Sequence, residues 1–186
     1  MNIGFAMCCS FCTYSQVFPV MEELSCQYDL FPIFSATSYT TDSRFGTAQD
    51  HIQKAESICG REVIHTIEAA EPIGPKKLLD ALIIAPCTGN TLAKLAHSIA
   101  DGPVTMAAKS HLRNGRPILV AVSTNDALAG AAENIGILMA RKHYYFVPFG
   151  QDDPEKKPTS MVADFKKIPP ALLSALEGRQ IQPILL

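Results

Sequence analysis

Four runs of small polar side chains stand directly behind apolar runs in this chain. They are Met7-Cys8-Cys9-Ser10, Ser35-Ala36-Thr37-Ser38, Pro86-Cys87-Thr88-Gly89-Asn90-Thr91 and Ser123-Thr124-Asn125. Hydroxyls, carboxamides and the free backbone N–H groups at a helix start together suit an anionic phosphate and the polar edge of a planar ring. For any one run, helix capping is the simpler account, because Ser, Thr and Asn are also the preferred N-caps. Four such runs on one edge of a sheet point to a bound ligand.

Other groups offer weaker chemistry. Cys9-Ser10-Phe11-Cys12 has the CxxC spacing of a dithiol redox motif. The length and regular alternation of the rest of the chain speak against a thioredoxin fold, so these cysteines read as residues that keep a loop small where a ligand approaches. Zinc would need further ligands, and no second CxxC or HxxxH exists. Neither GxGxxG nor GxxxxGK[ST] is present, so a dinucleotide fingerprint and a P-loop are unsupported. His65, at the end of an apolar run, and Glu71, in the loop after it, are the candidate acid or base. Glu68 reads as a solvated loop carboxylate, and His51, His97, His111 and His143 as structural or surface residues. Arg44, Lys156 and Lys157 fall in polar loops where substrate carboxylates would want a cation.

The elements that must position these residues alternate along the chain. Apolar runs at Ile3–Met7, Leu30–Phe34, Val63–Thr66, Ala81–Ala85, Ile118–Val122 and Tyr144–Val147 predict six strands. Helical periodicity lies between them: from Ser15, over Thr47–Cys59, Pro75–Leu79, Asn90–Ala100, from Pro103 to Gly115, and over Ala127–Lys142. A last helical segment, 161–177, is expected to break at Pro169-Pro170, and Ser35–Phe45 to be a loop. Continuous apolar strands joined by helices imply a parallel sheet covered on both faces, a three-layer α/β/α domain. Ligands of such sheets bind beyond the carboxyl ends of the strands. The polar segment Gln151–Ser160 opens a C-terminal portion, 151–186, expected to act as a lid or a subunit-contact arm on an otherwise single domain, 1–186.

Bulk properties remove several function classes. With 47% hydrophobic residues the chain has material for a large core. A formal net charge of −2 leaves no basic excess for a nucleic-acid backbone. No apolar window is long enough to span a bilayer, and the N-terminus lacks the positive region of a signal peptide. The expectation is a cytoplasmic protein whose six cysteines are thiols.

The segment from Ile83 through Pro86-Cys87-Thr88-Gly89-Asn90-Thr91 to Ala96, followed by Ile99-Ala100-Asp101, resembles the P-A-S-A-N-T signature of the flavoprotein family of cysteine decarboxylases and flavin prenyltransferases. The likeness runs from Ile3-Gly4 to the loop near Phe149. It implies a flavodoxin-like (Rossmann-like) fold and bound flavin mononucleotide (FMN) held between subunits of a trimer or a multiple of one. Carried over by position, Met7, Cys8, Cys9 and Ser10 would wrap the flavin, and Ser35, with Thr37, would help hold its phosphate. Thr88, Gly89, Asn90 and Thr91 would be the signature contacts, and Ser123, Thr124 and Asn125 the contacts behind the fifth expected strand. The decarboxylases carry a histidine ahead of the signature, where this chain has Glu71-Pro72-Ile73, and a P-x-M-N element where it has Val122-Ser123-Thr124-Asn125-Asp126. The arginine that prenyltransferases place near Ser123 is missing. These departures fit a branch that supplies the flavoprotein subunit of an oxidoreductase in spore-forming bacteria. That branch implies a small dicarboxylate substrate and a nicotinamide-binding partner subunit. A decarboxylase or prenyltransferase with an altered site, and a non-catalytic scaffold for the partner, are the alternative readings.

Overall fold

The run Asn2–Met7 forms strand β1, and every residue from Ile3 onward is buried. Such unbroken burial is what a central strand of a parallel sheet requires, since helices cover both its faces. The computed structural model describes residues 1–186. In it β2 (Asp29–Phe34), β3 (Ala81–Cys87), β4 (Ile118–Thr124) and β5 (Tyr144–Phe146) join β1 in the order β2-β1-β3-β4-β5, all parallel. The remaining two strands, β6 (Phe149–Gln151) and β7 (Met161–Ala163), form an antiparallel hairpin on the far half of β4. β4 therefore forks: Ile118–Val120 pair with β5, while Ser123 and Thr124 pair with β7.

The helices are α1 (Tyr14–Ser25), α2 (Ala36–Thr40), α3 (Ala48–Cys59), α4 (Ile67–Ala70), α5 (Gly89–Ala96), α6 (Pro103–Leu112), α7 (Ala132–Met139) and, after the last strand, α8 (Ile168–Leu176). α1 packs with α3 and α8, whereas α4, α6, α5 and α7 pack with one another in sequence. Thr47 caps α3 through a reciprocal pair with Asp50, and Gly60 ends that helix in the left-handed conformation (φ 64°). One cluster of 50 buried residues joins the layers. The expected α/β/α architecture is thus the observed one. No helix is long and apolar enough to cross a membrane.

Several local expectations are corrected. Val63–Thr66 contributes only one bridge, Ile64 to Ile33, because the Thr66 hydroxyl turns the chain into α4 by accepting from the Ala69 N–H. Pro75–Leu79 is a turn, because Lys77 adopts the left-handed φ 48° where a helix needs a negative φ. The helix expected over Ala127–Lys142 is confined to α7, behind a turn through Asp126–Gly130. Pro169 and Pro170 start α8 instead of breaking a longer helix, since the first turn needs no N–H from them. The 151–160 segment is the tip of the β6–β7 hairpin. Gln151 Nε2 donates to Pro158 O at 2.8 Å and the Ser160 N–H to Lys157 O at 3.0 Å. The residues after it pack onto the sheet through α8.

A buried histidine couples this scaffold to pH. His111, 0% exposed at the end of α6, donates from Nε2 to Pro117 O at 3.1 Å, while Nδ1 meets no partner. Burial pushes its pKa down to about 4. Folding thus favours the neutral ring; that contribution is whole above about pH 6.5 and is lost as pH falls toward 4. Denaturant unfolding at pH 7.5 and pH 4 should show a loss smaller by about 3 kcal/mol in His111→Gln than in the unaltered chain.

Candidate functional site

In the order β2-β1-β3-β4-β5 the chain winds outward in both directions from the pair β1/β3. The loops behind those two strands diverge and leave a crevice at the carboxyl edge of the sheet, the place where such folds bind ligands. A cavity of about 930 Å³ lies there. That is large enough for a ligand of cofactor size.

Three strand tips build its polar wall. Behind β1 come Cys9 and Ser10, behind β3 come Thr88, Gly89 and Asn90, and at the end of β4 come Ser123, Thr124 and Asn125. Ser10 Oγ and Ser123 Oγ lie 2.8 Å apart and tie the first tip to the third. Thr88 stands at the N-cap of α5 but makes no side-chain cap. Its hydroxyl pairs at 3.3 Å with that of Thr91, so the N–H groups of the first turn of α5 have no protein acceptor. A helix start left open in this way attracts anions. At Gly89 a Cβ would lie 2.7 Å from Asp126 Oδ1 and 2.8 Å from Thr124 Oγ1, so only glycine lets the third tip close against α5.

The expected residues are not all at this surface. Met7, Cys8 and Thr91 are buried beneath it. Thr91 Oγ1 donates to Cys8 Sγ at 3.2 Å, and the Tyr14 hydroxyl donates to Cys8 O. Hydrogen bonds from the Cys87 thiol and the Thr91 hydroxyl draw the Cys8 pKa down against its own burial. Desolvation pushes Cys87 well up, so Cys87 stays a neutral thiol. Ser35 and Thr37 stand one strand further out, at the tip of β2. Ser35 Oγ accepts the Ser38 N–H at 3.1 Å as the cap of α2, and Thr37 is exposed; neither lines the cavity. His65 stacks on Tyr39 with ring centroids 3.7 Å apart, and Glu71 is exposed on a short 3-10 turn. Both lie outside the cavity, because the run that carries His65 is not a full strand of the sheet and Glu71 follows a further short helix, α4.

The cavity also takes in Arg44 and Lys157, two of the loop cations expected to meet substrate carboxylates, together with residues that the sequence did not single out. Phe11, Thr13 and Gln16 reach it from the start of α1. Ser43, Arg44 and Phe45 come from a tight turn in which the N–H groups of Ser43 and Gly46 each donate to the other's carbonyl. The Arg44 guanidinium lies 4.8 Å from the Phe45 ring centroid and has no carboxylate partner. From the hairpin come Asp152, Lys157 and Ser160, with Lys157 Nζ 2.9 Å from Asp152. Asp126, one residue past the Ser-Thr-Asn run, accepts from Thr124 Oγ1. Sequence spacing flagged the loops of Arg44 and Lys157, but nothing local signalled that Ser43 or Ser160 would face the same space.

Comparison with known proteins gives a consistent result. Residues 2–155 match the Flavoprotein family. The chain is 46% identical over 185 residues to the B subunit of dipicolinate synthase from Bacillus subtilis, covering 99% of this chain and 92% of that one. A crystal structure of the corresponding B subunit from Bacillus halodurans is 44% identical, with a TM-score of 0.91 over 100% of this chain and 95% of the other. The FMN-dependent cysteine decarboxylase SpaF, 21% identical, shares the fold at a TM-score of 0.68 over 94% and 97% of the two chains.

Proposed function

Because this chain belongs to the Flavoprotein family, we propose that it binds FMN in the 930 Å³ cavity and acts as the B subunit of a dipicolinate synthase. The observation that carries the cofactor reading is the open first turn of α5 beside the Gly89 cradle. Its unpaired N–H groups, the Asn90 and Asn125 carboxamides and the hydroxyls of Ser10, Thr88 and Ser123 form a donor set that fits a phosphate and a ring edge. Met7 and Cys8 support that surface from below, while Ser35 and Thr37 stand apart from it at the tip of β2.

Bound FMN would supply hydride acceptance, the hard step of such an oxidation. In this reading a dihydrodipicolinate-type intermediate is oxidised to dipicolinate during sporulation, in the cytoplasm. Arg44, which no carboxylate neutralises, holds one substrate carboxylate, and Lys157 holds the other from the opposite hairpin. Asp126 Oδ2 takes the ring proton, being the cavity carboxylate without an ammonium partner. The 151–160 tip serves as the lid or subunit contact. The partners are the nicotinamide-binding A subunit of dipicolinate synthase and further copies of this chain, as a trimer or a multiple of one.

The purified chain should take up FMN with a shifted flavin absorbance. Asn90→Ala should weaken that uptake by up to about tenfold, the worth of one lost hydrogen bond. In the complex with the A subunit, Arg44→Gln should raise the KM for the dicarboxylate and leave FMN uptake unchanged. Full activity from a colourless complex would mean that this chain is a scaffold. Carbon dioxide release from a cysteinyl peptide, or a prenylated flavin from dimethylallyl phosphate, would replace the oxidase reading.

A further inference from the structure

A second cavity, of about 310 Å³, opens at the opposite end of α5. Its lining includes Lys94 and Leu95 of α5, Lys109 and Leu112 of α6, and Tyr144 at the first residue of β5. It therefore lies near the amino ends of the parallel strands, away from the flavin cavity. α5 spans the separation, roughly 12 Å for eight residues.

Four cations surround the cavity: Lys94, Lys109, Arg113 and Arg141. No carboxylate lines it. Asp101 pairs with Lys94 at 2.9 Å, which leaves Lys109 and Arg113 without an ion-pair partner. Arg141 is fixed, because its guanidinium donates to Leu95 O and Ala96 O at the end of α5. The apolar part of the lining is Leu95, Ile99 and Leu112, with Leu95 buried and Ile99 47% exposed.

Tyr144 adds a free hydrogen-bonding group to this lining. The residue is 7% exposed and lines the cavity, and its hydroxyl makes no hydrogen bond within the protein and stays open to solvent. Burial raises its pKa to about 12, so at neutral pH it is a donor.

We propose that this cavity binds a small carboxylate with a hydrophobic body, of one aromatic ring or similar bulk. Tyr144 Oη and the Lys109 and Arg113 side chains hold the carboxylate, and the body lies on Leu95, Ile99 and Leu112. The volume is at the lower end of ligand sites, which admits one ring and excludes a nucleotide. The apolar part of the lining selects a carboxylic acid over inorganic phosphate, since a bare phosphate leaves that surface wet.

Calorimetric titration of the full chain with benzoate, and separately with inorganic phosphate, tests this. Benzoate should bind saturably and more tightly than phosphate. Lys109→Gln with Arg113→Gln should weaken it at least tenfold, and Tyr144→Phe by several-fold. Asn90→Ala should leave benzoate binding unchanged, which separates this site from the flavin reading. The proposal is overturned if benzoate does not bind, if phosphate binds as well or better, or if the double variant binds benzoate normally. It is also overturned if the double variant changes only the oligomeric size, since the cavity is then an interface between copies.

Discussion

Gly89→Val is expected to weaken FMN uptake by about ten- to a hundredfold while the protein stays folded. The new side chain would enter the space held by Asp126 Oδ1 and Thr124 Oγ1, at 2.7 and 2.8 Å from a Cβ. Both atoms are ends of side chains, so they can yield, but only by giving up their mutual hydrogen bond and pushing the tip of β4 off α5. Overpacking of this kind costs about 1–3 kcal/mol. Set against binding, that is the fold-change stated. Gly89 does not need a left-handed φ, so the backbone of α5 tolerates the change and the melting temperature should move by only a few degrees. Flavin fluorescence titration beside thermal unfolding separates the two effects, with Gly89→Ala falling between. Undiminished uptake by the valine variant would remove the cradle from the account of the site.

The largest stability loss should come from Phe5→Ala. Phe5 is 0% exposed on β1, between Pro32 of β2 and Ile83 of β3. Truncating such a ring removes about 3–5 kcal/mol. For a domain of this size that corresponds to a melting temperature lower by roughly 6–20 °C. Leu173→Ala, at a leucine that is 55% exposed, should stay within about 0.5 kcal/mol and serves as the comparison. Equal losses from the two would contradict the placement of the core.

The architecture was legible because parallel strands buried on both faces must be apolar throughout, as Ile3–Met7 and Ala81–Ala85 are. The polar tips at Cys9-Ser10, Thr88–Asn90 and Ser123–Asn125 were legible for the same reason: chemistry begins where such a run stops. What escaped depends on contacts distant in sequence. The hairpin strands β6 and β7 are three residues each and exist because Phe149–Gln151 and the end of β4 meet Met161–Ala163 on either side. His65 was drawn toward the site by a strand that its neighbour Thr66 cuts short with a cap. Arg44 enters the cavity only because the Ser43–Gly46 turn folds back on itself, and Asp42 Oδ1 anchors that turn to the start of α3 by accepting the Ala48 N–H.

The fork in β4 gives the molecule an entrance separate from its framework. Two residue pairs, Ser123 with Val162 and Thr124 with Met161, join the hairpin to the sheet, and Phe149, Met161 and Ala163 anchor it in the core. Each hydrogen bond there contributes about 1 kcal/mol net. The largely exposed 152–158 tip beyond that anchor can lift while β1 through β5 remain intact. A bulky planar guest would pass beneath that tip, so that its residence time would be set by how often the tip lifts.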